Sequence, residues 1–112
     1  GARLGIHCDE NRYNGMYRRV NLILYLTPEW KPEWDGAIEL WPNDMQSAPK
    51  RILPAWNRAV IFETRPDTPH GGISVKGPKD RISFSVFYFT KERPADWAAD
   101  IGITGFRDRP NL

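Results

Sequence analysis

Arg81-Ile82-Ser83-Phe84-Ser85-Val86-Phe87-Tyr88-Phe89 alternates one set of Arg81, Ser83 and Ser85 with another of Ile82, Phe84 and Val86. Successive side chains of a β-strand point to opposite faces, so the two sets meet different environments. The polar set is expected to look into a pocket and the apolar set to pack outward against a helix or another chain. Asn21-Leu22-Ile23-Leu24-Tyr25-Leu26 repeats the pattern, with Asn21, Ile23 and Tyr25 together and three leucines on the reverse. Both faces of that strand are expected to be covered.

Around these two segments, ten prolines and nine glycines punctuate short runs rich in Val, Ile, Phe, Tyr and Trp. That is the composition of many short strands, not of helices. Seven strands are predicted, near residues 3–9, 17–27, 36–41, 50–53, 58–63, 69–75 and 81–90. Turn chemistry connects them at Thr27-Pro28 to Gly36, Pro42-Asn43-Asp44, Pro54 to Asn57, Arg65-Pro66-Asp67 and Gly77-Pro78-Lys79-Asp80. Pro94-Ala95-Asp96-Trp97-Ala98-Ala99-Asp100 reads as a short C-terminal helix, and Gly102 to Leu112 as loop. An all-β core of short antiparallel strands is a jelly roll, or double-stranded β-helix, whose mouth is a common place for a small-molecule pocket.

With 112 residues, 40% hydrophobic and 12% aromatic, residues 1–112 form one domain with one core. A net charge of +2 sets up no strong field, so a nucleic acid partner is not demanded. Arg12, Arg18, Arg19 and Lys31 read as a solvated rim. Cys8 is the single cysteine, which leaves no internal disulfide, thiolate zinc site or iron–sulfur cluster to build. It reads as a small buried hydrophobe pointing away from its neighbours' side. No signal peptide and no long apolar run are present, so no membrane association and a soluble, cytoplasmic location are the default expectations.

The two histidines decide the chemistry. His7 and Asp9 lie two apart in His7-Cys8-Asp9 and therefore point the same way from an extended strand. His70, in Thr68-Pro69-His70-Gly71-Gly72, closes the triangle. Two imidazoles and one carboxylate on one side of a cation leave its other positions open, as in non-haem iron(II) oxygenases. Arg81 offers a planar, permanently charged fork that matches a carboxylate, and Ser83 faces the same way.

His7-x-Asp9, then Arg19 to Pro28, Trp34 to Trp41, Ala59 to Thr64, Pro69-His70-Gly71 and Arg81 to Thr90 come in an order and spacing that resemble the prolyl-4-hydroxylase-like branch of the 2-oxoglutarate and iron(II)-dependent dioxygenases. The resemblance spans about residues 4–90. It implies that His7, Asp9 and His70 bind iron(II), that Arg81 anchors the far carboxylate of 2-oxoglutarate, with Ser83 and Asn21 as further contacts, and that O2 takes a remaining position. Ascorbate is implied as a supporting reductant. Members of the family convert 2-oxoglutarate to succinate and carbon dioxide while hydroxylating an unactivated C–H bond. A peptidyl substrate, prolyl by analogy, or a small molecule is implied, with substrate-selecting loops at residues 10–17 and 28–35. Asp9 favours hydroxylation over halogenation, since halogenating relatives carry a small residue there.

The chain departs from the family at Gly36-Ala37, where a glycine pair is usual, and at Asn21, where threonine is common. By the resemblance, a first core strand and supporting helices would precede Gly1, so an N-terminally incomplete domain with an open sheet edge is expected, filled by an upstream segment or another chain. Trp41, Trp56, Tyr13 and Tyr25 are candidates to stack on a substrate, although core packing is their more common role. The competing reading is a non-catalytic jelly-roll module that binds a ligand or protein.

Overall fold

The structure, a computed structural model, describes residues 5–9, 11–97 and 105–112. The described residues form nine strands: β1 (His7–Cys8), β2 (Arg12–Tyr13), β3 (Met16–Tyr25), β4 (Ile38–Leu40), β5 (Lys50–Ile52), β6 (Ala59–Glu63), β7 (His70–Gly72), β8 (Ser83–Thr90) and β9 (Gly105–Phe106). A single turn of 3-10 helix, Pro32–Trp34, interrupts the connection from β3 to β4.

Two antiparallel sheets result. One has the order β5-β4-β7-β1-β9; in the other, β3 is central, with β8 along one edge and β2 and β6 sharing the other. This is the jelly roll read from the sequence. The pairing of β3 with β8 runs from Tyr17↔Thr90 to Tyr25↔Ser83 with a bulge between Arg18 and Val20. Its register puts Asn21, Ile23 and Tyr25 on the same face as Phe87, Ser85 and Ser83, as the alternation requires.

Two of the nine strands were not predicted. Asn14 and Gly15, at φ 51° and 72°, make the two-residue turn that joins β2 to β3, the backbone twist that Asn-Gly favours. The tail expected to be loop instead supplies β9, whose Phe106 and Gly105 pair with His7 and Cys8 of β1. The expected C-terminal helix begins, over Pro94 to Trp97, as one turn closed by the Trp97 N–H on the Pro94 carbonyl at 3.2 Å; residues 98–100 lie outside the described residues.

Tyr25, Ile38, Val60, Ile73, Trp41 and Trp97 are among the buried apolar side chains that form the core. The outer face of the β3–β8 sheet is less covered than the alternation predicts. Among the described residues, Ile61, Ile82, Phe84 and Tyr88 are 53–65% exposed, and β8 pairs only with β3. Among the described residues, the side of β8 away from β3 carries no paired strand.

Candidate metal centre

The register of β1 on β7 builds the site. His7 sits directly opposite His70, and facing residues of an antiparallel pair share one side of the sheet. Their ring centroids are 4.5 Å apart. Asp9, two residues past His7, returns to the same side and brings Oδ1 to 3.1 Å from His7 Nε2 and 3.3 Å from His70 Nε2. One ligand atom from each residue lies within 4.8 Å of the others, so the three could hold a metal ion. Both imidazoles are buried.

The tautomers follow from the partners. His7 Nδ1 lies 2.8 Å from the Gly5 carbonyl and His70 Nδ1 lies 3.2 Å from the Thr68 carbonyl. A carbonyl only accepts, so each Nδ1 carries a proton and donates it, which turns both Nε2 atoms toward Asp9. Such backbone anchors fix ring orientation behind a metal ligand. The hydrogen bond to Asp9 raises the His7 pKa above its ordinary 6.5, against the opposing effect of burial. Burial pushes the Asp9 carboxyl up, but hydrogen bonds from His7 and His70 outweigh it and hold the group well below the usual carboxylate range. A carboxylate ionised throughout the physiological range beside two imidazoles is the donor set of an open-sided cation site.

A cavity of about 240 Å³ opens on this triad, and His7, Asp9, His70, Asn21, Ser83 and Arg81 all line it. The volume falls below the roughly 300–1,000 Å³ of pockets for drug-sized ligands, which suits a small diacid. Arg81 Nη1 donates to the Gly36 carbonyl at 2.7 Å. The surface ion pair to Asp80 or Glu92, the ordinary alternative for an arginine at a strand start, is not formed. Burial raises the Tyr25 pKa, with the nearby Arg81 charge opposing it, and Tyr25 lines the same cavity.

Two buried oxygens of residues that line this cavity, Asp9 Oδ2 and Asn21 Oδ1, have no hydrogen-bond partner. An unsatisfied buried acceptor costs free energy, and both belong to residues that line the cavity with His7 and His70. The residues thus fit an iron(II) ion and a 2-oxo diacid.

Arg18 corrects the reading of the basic residues. Its side chain is only 17% exposed, Nη1 lies 3.8 Å from Asp9 Oδ2, and the guanidinium carbon stands 4.2 Å from the centre of the Phe87 ring. It packs between Asp9 and Phe87, not in a solvated rim. The period-two pattern could have found it only with the bulge between Arg18 and Val20 in hand, because a bulge re-aims side chains. Phe62 is another addition, edge-on to His70 at 5.0 Å. Of the four aromatic candidates, only Tyr25 lines the cavity. Trp41 is buried elsewhere, and Tyr13 and Trp56 are each 56% exposed. Cys8 is buried and is not one of the three convergent residues, as its alternate position predicts.

The sequence profile of the 2OG-Fe(II) oxygenase superfamily matches residues 1–89. The chain belongs to that superfamily. It is also 32% identical over 87 residues to the prolyl 3-hydroxylase OGFOD1 of Mus musculus, covering 73% of this chain and 16% of the relative. Identity to the prolyl 3-hydroxylase OGFOD1 of Xenopus laevis is 34% over 94 residues, 78% of this chain and 18% of the relative. The chain thus spans less than a fifth of the length of these relatives. Among the described residues, no helix is long and apolar enough to cross a membrane.

Proposed function

We propose that this chain carries the iron(II) and 2-oxoglutarate site of a hydroxylase that acts on a peptidyl prolyl residue. The observation that carries the proposal is the convergence of His7, Asp9 and His70 within 4.8 Å at a cavity that Arg81 also lines. His7 and His70 would hold the ion through Nε2, each oriented by its Nδ1 donor bond, and Asp9 through Oδ1. Arg81 takes the far carboxylate of the diacid by charge-assisted hydrogen bonds, with Ser83 and Asn21 beside it. Phe62, edge-on to His70, shields one side from water, which protects an oxidising site from side reactions.

Iron(II), held by His7, Asp9 and His70, would supply the oxidising chemistry. In the balanced reaction one oxygen atom of O2 enters the carboxylate of succinate as carbon dioxide leaves, and the other becomes the hydroxyl on the substrate carbon. The prolyl substrate is supported by the activity in the relatives' names, which also favours carbon 3 of the ring over the carbon 4 of the resembled branch.

The test is to mix the protein with iron(II) and 2-oxoglutarate without oxygen, record the weak visible charge-transfer band, admit air with ascorbate, and measure succinate and the hydroxylated position of proline-containing peptides. The band, succinate and hydroxyproline are expected, and all three are lost in His70→Ala. Iron-loaded protein that binds 2-oxoglutarate but forms no succinate would instead support the non-catalytic binding module.

A further inference from the structure

We propose that the C-terminal segment from Gly105 to Arg109 is a clasp that sets the affinity of the metal centre, with Arg107 and Arg109 as its positioning residues. The inference rests on the metal site proposed above but concerns residues beyond the part of the chain that the superfamily profile matches, residues 1–89.

The strand that presents His7 is weakly held on its own. β1 is two residues long and shares a single residue pair with β7, His7↔His70. A segment with so few pairings opens locally at low cost. β9 gives it a second neighbour, pairing Phe106 with His7 and Gly105 with Cys8, and the Arg107 N–H donates to the Ile6 carbonyl at 2.8 Å.

From there the segment turns across the sheet. Burial raises the pKa of Cys8, the residue between His7 and Asp9, and the nearby Arg107 guanidinium opposes that rise. That guanidinium donates to the carbonyl and, at 2.8 Å, to Oδ1 of Asn43, just past β4. Arg109 grips Glu39 on β4 with both nitrogens, at 2.5 and 3.3 Å, and its guanidinium carbon lies 5.6 Å from the centre of the Trp41 ring. Glu39 is 3% exposed and faces Gly71, the neighbour of His70.

Cys8 and Glu39 point away from the cavity, because His7 and Ile38, their strand neighbours, line it. The clasp therefore leaves the sheet edge beside β1, crosses behind β7 and ends on β4, spanning the strands that carry both histidines. Its effect on the metal is through population. If the triad is assembled only in the fraction of molecules where β1 is docked, the apparent dissociation constant is the intrinsic one divided by that fraction.

The experiment titrates Mn(II) into wild-type protein and into the double variant Arg107→Ala, Arg109→Ala, well below the unfolding temperature of each. Mn(II) affinity is expected to fall roughly 10- to 100-fold, the usual cost of removing support behind metal ligands. Arg109→Lys should lie between, since lysine keeps the charge and loses the fork. Val60→Ala in β6 serves as control: it lowers stability by a comparable amount without changing Mn(II) affinity, which separates positioning from general destabilisation. A second measurement needs no variant. Coupling is reciprocal, so Mn(II) must slow amide exchange at Arg107 in the wild-type chain.

A folded double variant with wild-type Mn(II) affinity, or unchanged exchange at Arg107 on metal addition, overturns the clasp alone. Wild-type protein that binds no Mn(II) at all overturns the metal site itself.

Discussion

Replacing Arg81 with alanine should weaken 2-oxoglutarate binding while leaving the metal in place. Arg81 is the cationic residue lining the cavity that holds His7, Asp9 and His70, and its Nη1 is committed to the Gly36 carbonyl at 2.7 Å. The remaining guanidinium donors are available to a carboxylate. Hydrogen bonds to a charged group contribute about 1.5–3 kcal/mol net. At about 1.4 kcal/mol per decade, the loss corresponds to roughly 10- to 150-fold weaker binding. Arg81 is exposed, which favours the lower half of that range. The lost bond to Gly36 should cost about 1 kcal/mol of stability as well. The assay is calorimetric titration of 2-oxoglutarate into protein loaded with Mn(II), which does not turn over, beside a Mn(II) titration of the same variant. Arg81→Lys should recover part of the affinity, because the charge returns without the planar fork. Wild-type 2-oxoglutarate affinity in Arg81→Ala, or a parallel loss of Mn(II), would show that Arg81 is not the anchor.

The same geometry sets further outcomes. Gly36 has φ +76°, and a Cβ there would lie 2.9 Å from Val75 Cγ2 and 3.2 Å from Trp30 Cζ2, so Gly36→Ala should destabilise by about 1–3 kcal/mol in denaturant melts and, by moving the carbonyl that holds Arg81, weaken 2-oxoglutarate binding too. Mn(II) affinity should rise with pH through the raised His7 pKa, since a protonated Nε2 cannot ligate, and an affinity flat from mild acid to mild alkali would contradict the assignment of His7. The metal-free protein should show the opposite trend over the same range. Stability from the His7–Asp9 pair is fully present below the ordinary histidine value of 6.5 and is lost as pH rises through the raised folded value. At the acid end, the contribution of Asp9 is present above 3.8 and is lost as pH falls through its depressed folded value.

Much of the site was legible because it depends on rules that act over two residues. His7 and Asp9 share a face by strand alternation, and Arg81, Ser83 and Asn21 fall on cavity-facing positions of β8 and β3 for the same reason. His70 was read as the third member because it is the one other histidine in the chain, although no local pattern joins it to His7. Arg18 was misread because its chain neighbours give no hint that a bulge turns it against Asp9 and Phe87. The β2–β3 hairpin had a usable signal in Asn14-Gly15 that the strand pattern alone passed over.

Residue types and their period of two were enough to settle that this chain is a β-sandwich of short antiparallel strands and that its rare ligating side chains point inward, since pleating acts between neighbours along the backbone. What could not be read from the chain in order was which strands lie side by side. The facing of His7 and His70 across β1 and β7, and the return of Gly105 to Arg109 over the back of that sheet onto Asn43 and Glu39, depend on pairings between distant segments. Such contacts are set by the total burial and hydrogen bonding of the folded sheet, and no single stretch of sequence encodes them.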